Sequence, residues 1–485
     1  MDDLSKKRGA WGSRIGFLIT TWFAAIGIGN MWRFPFRCAT NGGGAFLLPY
    51  LFFILTVSVP AVIMEASTGK YAHKDAVGTT SKVGGLRGSG VLTLLINLFG
   101  SYYMVVVSQS LYWLWKSIKN DFAKEASETL WSGFMDNKGL CFAVFALTVV
   151  LAVIPPVFGI KEGVERVGKY IGGFAIIIIV VGAIRAITLP GAMDGVAFFL
   201  TPNWSQMFTA QTLTSALSQA YFTFGAGWGW FMILSSYLNK TADVGMGHLT
   251  SGFADTFFAL MSGFAIIPTL FASGYTTETI GSLGASTAYV AMPKVFVGMK
   301  GGYILALLFF AALFFAAYSC AYVMVEVIGS FFIDSLKWSR KKASVAAGAC
   351  ILICGAAPAI SPTVLDALDT IFGCYLLPLI VTLQVIGFGY RFGKDRMRIG
   401  SVNLYGNGYI GKWLTGLYLF WVPVINIFLM LWYAITLSGD GIPWYYGWKV
   451  FAVVIVIALA VVLGFNYVDR KNNVPYDGMP VKTDS

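Results

Sequence analysis

The chain reads as an all-α integral membrane protein of twelve transmembrane helices, arranged as a 5+5 inverted repeat with helices 1 and 6 unwound. Three observations carry this reading. Of 485 residues, 57% are hydrophobic and only 12% are charged, against about 25% charged in an ordinary soluble domain. Apolar runs long enough to cross a bilayer follow one another along the chain and leave no room for a soluble domain larger than a loop. Two of these runs are broken by glycines, at Gly27-Ile-Gly29 and Gly225-Ala-Gly227-Trp-Gly229. Paired interruptions at corresponding places in two halves point to a binding site at the membrane midplane between inverted repeats.

A helix needs about 20 apolar residues to span the hydrocarbon core, which places spans at about 15–38, 44–69, 90–117, 139–157, 167–189, 211–237, 248–273, 297–335, 342–358, 366–390, 413–437 and 446–467. Trp11 and Arg14 flank the first run. It holds Gly27 and Pro35 and no small-residue cleavage site follows it, so it reads as a mature helix and not a cleaved signal. The ends of the even-numbered spans are marked by positive charge. Lys6, Lys7, Arg8 and Arg14 precede the first span; Lys70, Lys74, Lys82 and Arg87 follow the second; Lys161, Arg166 and Lys169 follow the fourth. Lys337, Arg340, Lys341 and Lys342 follow the eighth, Arg391, Lys394, Arg396, Arg398 and Lys412 the tenth, and Arg470 and Lys471 the last. The intervening loops are poorer in net positive charge, although 116–138 is long and mixed. Both termini are therefore expected on the cytoplasmic side. This asymmetry accounts for the net charge of +11 without nucleic acid. Residues 1–485 form one transporter-like domain: repeats at about 11–190 and 205–392, with peripheral helices at about 413–467. The halves share the breaks but no convincing residue-level identity.

Other chemistries find little support. Six cysteines sit in or beside apolar runs with no CxxC pair, and the two histidines, His73 and His248, are far apart. A metal centre or disulfide framework is not expected. No GxxxxGK[ST] loop supports ATP drive. No His/Cys/Asp cluster suggests an intramembrane enzyme.

The break in the first span has two readings. Glycine is a poor helix former and proline lacks a backbone donor. In hydrocarbon, freed amides and carbonyls must face protein, water or a bound ion. Freed carbonyls suit a small cation and freed N–H groups a carboxylate, so residues 23–30 would wall a binding site. Alternatively, the glycines permit a tight helix crossing.

The motifs then resemble one family. Gly27-Ile-Gly-Asn-Met-Trp-Arg-Phe-Pro35, Asn41-Gly-Gly-Gly-Ala-Phe46, Pro49-Tyr50, Glu65 with Gly69-Lys-Tyr71, Ser101-Tyr-Tyr103, Gly159-Ile-Lys-Glu-Gly-Val-Glu-Arg166 and the sixth span's Gln219 and Phe222-Thr223 are similar to those of the neurotransmitter:sodium symporter family, in order, over about residues 8–400. The resemblance implies sodium-coupled import of an amino acid by alternating access in a cell (inner/cytoplasmic) membrane. Its partners are the amino acid and membrane lipid, its only cofactor one or two Na+ ions.

The resemblance also assigns residues. A first sodium site would use Ala25, Asn30, Thr223 and Asp255, all hard-oxygen donors, together with the substrate carboxylate. Many animal members carry Asn at Asp255 and bind chloride nearby; here the acid, with Ala259 one turn later, implies chloride independence. The bland reading of Asp255 is a solvated or Arg-paired acid. Glu65 and Glu326 read as buried acceptors for loosened helix ends and neighbouring side chains. A second sodium site would use carbonyls of Phe23, Ile26 and Ala316 with Ser319 and Cys320. A thiol stands there in place of the usual hydroxyl, which leaves the sodium count open. Biogenic-amine members carry Asp where this chain has Gly27, so an amino acid bringing its own carboxylate is expected. Its contacts would be Ala25, Ile28, Gly29, Phe99, Tyr103, Phe222, Thr223, Gly225, Trp228, Cys320 and Met324, although Phe99 and Trp228 could equally be packing. A small or medium neutral amino acid fits this set. Arg33–Asp369 would close the outside and Arg8–Asp334, with Trp11 as a plug, the inside. Exposed ion pairs are worth only about 0–1 kcal/mol, which suits a gate that reopens. A proton-coupled transporter, a channel and a non-transporting sensor of the same fold are the rivals.

Overall fold

A computed structural model describes residues 11, 14–27, 29–239, 242–393, 395–403, 406, 409–439 and 441–477. The predicted site residues Arg8 and Ile28 lie outside them. Among the described residues all regular structure is helical, and extended pairing is confined to an isolated parallel bridge between Val83 and Asp477.

The first span is cut in two. Helix α1 (Arg14–Ala25) ends, the backbone leaves helical geometry at Ile26 and Gly27, a π-helical turn runs over Gly29–Arg33, and α2 (Phe34–Thr40) completes the crossing. Pro35 does not take part in the break, contrary to the sequence reading. It occupies the first turn of α2, where its fixed φ suits the start of an α-helical stretch. The second span is α3 (Gly44–Ala72) and the third lies within α4 (Arg87–Ile118). Helices α5 (Lys138–Gly159) and α6 (Arg166–Ile187) are joined by a π-helical segment, with Gly159 bending the chain at φ 88°.

The sixth span is cut like the first. Helix α7 (Ala210–Phe224) stops at three left-handed glycines, Gly225, Gly227 and Gly229, with φ of 71°, 82° and 77°, and α8 (Trp230–Ser236) resumes. A side chain in that conformation costs roughly 1–2 kcal/mol per residue, so alternate glycines are what make such a stretch possible. There follow α9 (Gly245–Ala272), α10 (Thr287–Val297), α11 (Gly302–Leu336), α12 (Arg340–Cys354), α13 (Pro362–Arg391), α14 (Lys412–Thr436) and α15 (Gly447–Lys471).

Eight stretches among the described residues are long and apolar enough to cross a membrane. The shortfall from twelve has visible causes. Two spans are interrupted, α5 and α6 run on as one bent helix, and α12 has only 15 residues. The eighth span starts at Gly302 and not near 297, because Gly301 (φ 78°) turns the chain between α10 and α11.

Helix α1 packs against α6, α9 and α11, and α8 packs against α3. The two interruptions therefore sit inside a helical shell. By contrast α15 points most of its apolar side chains outward, among them Trp448, Val453, Val456, Ile457 and Leu463. With no water to drive burial, such a face is satisfied by lipid tails.

Candidate functional site

Each interruption exposes helix-end groups, and the side chains around them are oxygen-rich. Ala25 closes α1, and last-turn carbonyls have no intrahelical donor. Asn30 spans the gap: its Oδ1 accepts from the Gly27 N–H at 3.0 Å, while its Nδ2 donates to Oδ1 and the carbonyl of Asp255 at 2.8 and 3.1 Å. Thr223, at the end of α7, donates to the same Oδ1 at 3.2 Å. Asp255 is wholly buried, and its Oδ2 has no hydrogen-bond partner among the described residues. Among the described residues no arginine pairs with this acid. A buried carboxylate oxygen left unpaired is strongly unfavourable, so this atom calls for a cation or a proton. Ala25, Asn30 and Thr223 lie at or beside the two interruptions, and Asp255, in the middle of α9, meets Asn30 and Thr223.

A second oxygen group forms where α11 meets the end of α1. Ser319 Oγ contacts the carbonyl oxygens of Ile26 at 3.3 Å and Ala316 at 2.7 Å. Phe23 lies one turn back along α1, so its carbonyl belongs to the same helix end. Cys320 behaves differently. Its Sγ is 3.9 Å from Ser319 Oγ, yet it presses on Gly27, where a Cβ would stand 2.5 Å from the sulfur and 2.9 Å from the Tyr103 hydroxyl. The thiol thus fills the seam between the two oxygen groups.

Around them stands an aromatic chamber. Phe222 lies 5.9 Å from both Tyr103 and Trp228, and Trp230 lies 6.1 Å from Tyr103 and 5.2 Å from Trp228. Gly29 is close beneath Phe222: a Cβ there would be 3.0 Å from its ring. Met324 is fully buried on α11, and Gly225 lets the chain turn under the rings of Trp230 and Phe231. Trp230 was not foreseen, because its side depends on how the glycine segment turns. Phe99 is a correction. Its ring is 51% exposed, because α4 is kinked at Gly100 and Ser101; Gly100 meets Trp228 in its stead.

Arg33 and Asp369 do meet, Nε to Oδ1 at 3.0 Å, but the pair is not a surface one. Their side chains are 2% and 7% exposed. Arg37 adds a second contact to Asp369 at 2.8 Å, and Arg33 also donates to Gln219 at 2.8 Å and Ser218 at 3.0 Å. The guanidinium covers the Phe222 ring at 4.7 Å, and Gln219 donates on to the Gly29 carbonyl at 3.0 Å. Weak exposed pairing is thus the wrong energetics here. Removing one member of a buried pair costs about 3–5 kcal/mol.

At the opposite end, Trp11 donates from its indole to the Leu234 carbonyl of α8 at 2.9 Å and sits edge-on to Phe17. Asp334 accepts from the Asp75 N–H at 2.6 Å. Glu326 is the buried acceptor the sequence reading expects, with partners it did not name: Arg340 reaches both its oxygens at 3.1 and 2.9 Å, and Tyr237 donates to the same carboxylate. A buried acid in α11 followed by a cluster of basic residues was the available signal. Glu65 accepts from the Gly227 N–H at 3.0 Å, tying α3 to the second interruption as a helix-end acceptor should.

Comparison with known proteins places the chain among sodium-dependent transporters. Residues 8–134 and 131–468 match the profile of the Sodium:neurotransmitter symporter family. An uncharacterized sodium-dependent transporter of Methanocaldococcus jannaschii is 32% identical over 432 residues, 84% of this chain and 86% of that one. One of Haemophilus influenzae is 29% identical over 386 residues, 76% and 83%. The crystal structure of MhsT in complex with L-phenylalanine superposes with a TM-score of 0.82 at 28% identity, covering 88% of this chain and 99% of that one.

Proposed function

The chain belongs to the Sodium:neurotransmitter symporter family, and from that premise we propose that it is a sodium-driven importer of a small or medium neutral amino acid, working by alternating access without chloride. The observation that carries this is the Asn30–Asp255–Thr223 cluster, with a carboxylate oxygen left for a cation at the meeting point of two interrupted helices. The substrate carboxylate would complete the sodium shell, so ion and substrate bind more tightly together than apart.

The substrate reading rests on two features. No side chain fits at Gly27, so an acidic counter-charge for an amine cannot stand there. The rings of Tyr103, Phe222, Trp228 and Trp230 crowd the chamber and limit size, though a related structure holds L-phenylalanine. Spans 1–5 and 6–10 act as inverted repeats in a single domain, with both termini cytoplasmic. Phe222 and the Arg33–Asp369–Arg37 cluster seal the outside; Trp11 seals the inside, with Arg8 and Asp334. Ser319 with the carbonyls of Phe23, Ile26 and Ala316 holds a second sodium, Cys320 contributing only weakly.

The unpaired Asp255 oxygen would equally accept a proton, which keeps proton coupling as the second reading. Purified protein in liposomes, energised by a sodium gradient and screened with labelled glycine, alanine, leucine, phenylalanine and tryptophan, decides among these. Saturable, electrogenic uptake that stops when sodium is replaced at fixed pH supports the symporter. Uptake that follows a proton gradient instead, or tryptophan as the strongest competitor, overturns it. Replacing chloride by gluconate leaves uptake unchanged. Asp255→Asn lowers uptake by about tenfold or more, the scale of a lost charge-assisted contact.

A further inference from the structure

Trp228 belongs to the aromatic chamber and is wholly buried, yet its indole N–H has no hydrogen-bond partner among the described residues. An indole nitrogen can only donate. Trp230, 5.2 Å away, carries the same group, and there it is satisfied: it donates to Asn97 Oδ1 at 2.9 Å. Asn97 has nothing left to offer, since its amide donates to the Trp228 carbonyl at 2.7 Å and to the Thr93 carbonyl at 2.8 Å. One asparagine thus holds the backbone of one tryptophan and the side chain of the other, and leaves the Trp228 N–H over.

The ring is not free to turn towards a partner. A Cβ on Gly100 of α4 would stand 2.6 Å from Cζ3 and 3.1 Å from Cη2, so the benzene edge is wedged against α4 and the N–H lies at the other end of the ring. Phe222 stands edge-on at 5.9 Å and Phe372 of α13 at 6.4 Å. Ring faces are weak acceptors. Phe222 in turn lies over Gly29 and beside Tyr103, next to the first helix interruption. Most buried donors in folded proteins are paired, and one left open is costly. A donor held rigid and open on the wall of a chamber suits a ligand that brings the acceptor.

We infer that Trp228 is a specificity-determining residue: its indole N–H donates to an oxygen on the substrate's side chain, and so selects neutral amino acids with a side-chain hydroxyl or amide over aliphatic ones of similar size. This rests on the reading that the chamber holds a neutral amino acid. The hydroxyl of threonine and the amide carbonyl of asparagine or glutamine supply the acceptor. Valine, leucine and methionine fill much the same volume and leave the N–H open. A site that hydrogen-bonds its substrate rejects the analogue lacking that group far more strongly than an apolar pocket separates two hydrocarbons.

Thermal stabilisation of the purified full-length protein, in sodium and with potassium in its place, measures half-saturating concentrations for three pairs: L-threonine and L-valine, L-asparagine and L-leucine, L-glutamine and L-methionine. The tightest ligand of the six is a polar one, and it binds about fivefold or more tightly than its apolar partner. In Trp228→Phe, and with benzothienylalanine at position 228, which puts sulfur where the N–H stands and keeps the ring's shape, that ratio falls below about twofold. Each ratio is taken within one protein, so a general loss of stability in a variant cancels. An apolar amino acid as the tightest ligand overturns the inference, and so does a ratio that survives both replacements. Both of those outcomes leave amino-acid binding in place. If the chamber reading itself is wrong, none of the six stabilises the protein in either salt, and the inference falls with it for a distinguishable reason.

Discussion

Gly27 does its work by having no side chain. The Cys320 sulfur and the Tyr103 hydroxyl would stand 2.5 and 2.9 Å from a Cβ on it, both closer than real side-chain contacts. Gly27→Ala must displace one of them, and both groups sit in enclosed positions. We expect it to abolish substrate binding. Cys320→Ala removes the nearer obstacle, so the double variant Gly27→Ala/Cys320→Ala recovers part of the affinity that the first change loses. Residues in contact couple by roughly 0.5–3 kcal/mol in such cycles. Strict additivity, measured by substrate-dependent thermal stabilisation, would show that the sulfur is not what Gly27 makes room for. The outer cluster is also a residue-scale matter. Asp369→Asn keeps the shape but leaves Arg33 and Arg37 facing each other with no negative charge between them. The loss should approach about 3–5 kcal/mol in stability, with transport abolished. Adding Arg37→Gln restores part of the melting temperature, because one uncompensated charge is gone. A double variant no more stable than Asp369→Asn would place the damage elsewhere.

Whole elements depend on where the helices stop. A left-handed backbone is adopted readily only by glycine, so Gly225, Gly227 and Gly229 make the second interruption legible in the sequence. Proline's effect depends on its place in the helix, so Pro35 was misread: at the first turn it starts α2. Helix rotation is a tertiary property, which hid both the outward turn of Phe99 and the inward position of Trp230. The burial of Arg33–Asp369 was equally hidden, since nothing local tells a charged residue what will cover it. The meeting of Asn30 and Thr223 with Asp255 was legible through the family resemblance, because Asn30 and Thr223 stand next to the two breaks. Gly227→Ala tests the glycine segment directly. At φ 82° the new Cβ pays about 1–2 kcal/mol of backbone strain, and it would meet Val381 at 3.1 Å and the Leu377 carbonyl at 3.3 Å. The Glu65 contact to the same residue's N–H weakens as the turn opens. Thermal stability should fall and sodium-dependent substrate binding should fall with it. A fall in stability with binding intact would mean that the segment is only a hinge for packing.

Across the whole molecule, the segment that follows α15, residues 474–477, is strapped back onto the first half of the chain. After α15 the backbone of Asp477 pairs with the loop after α3, donating to the Lys82 carbonyl at 2.7 Å and accepting from the Gly84 N–H at 3.2 Å. The Asp477 side chain accepts from Tyr71, the Tyr476 ring lies against Gly85, and the Arg391 guanidinium covers that ring at 4.8 Å. Higher up, Asp469 holds Ser81 and Arg87 at 2.8 and 2.9 Å. One short segment therefore ties together the base of α3, the loop to α4 and the end of α13. Three hydrogen bonds and a cation–π contact are worth about 2–4 kcal/mol if each makes a usual contribution. Ending the chain after Asn473 removes Tyr476 and Asp477 but leaves the Asp469 contacts. We expect a drop of a few degrees in melting temperature, about half of it reproduced by Tyr476→Ala, with sodium-dependent uptake retained. Equal melting of truncated and full-length protein would mean that the strap does not hold these three elements together in the membrane.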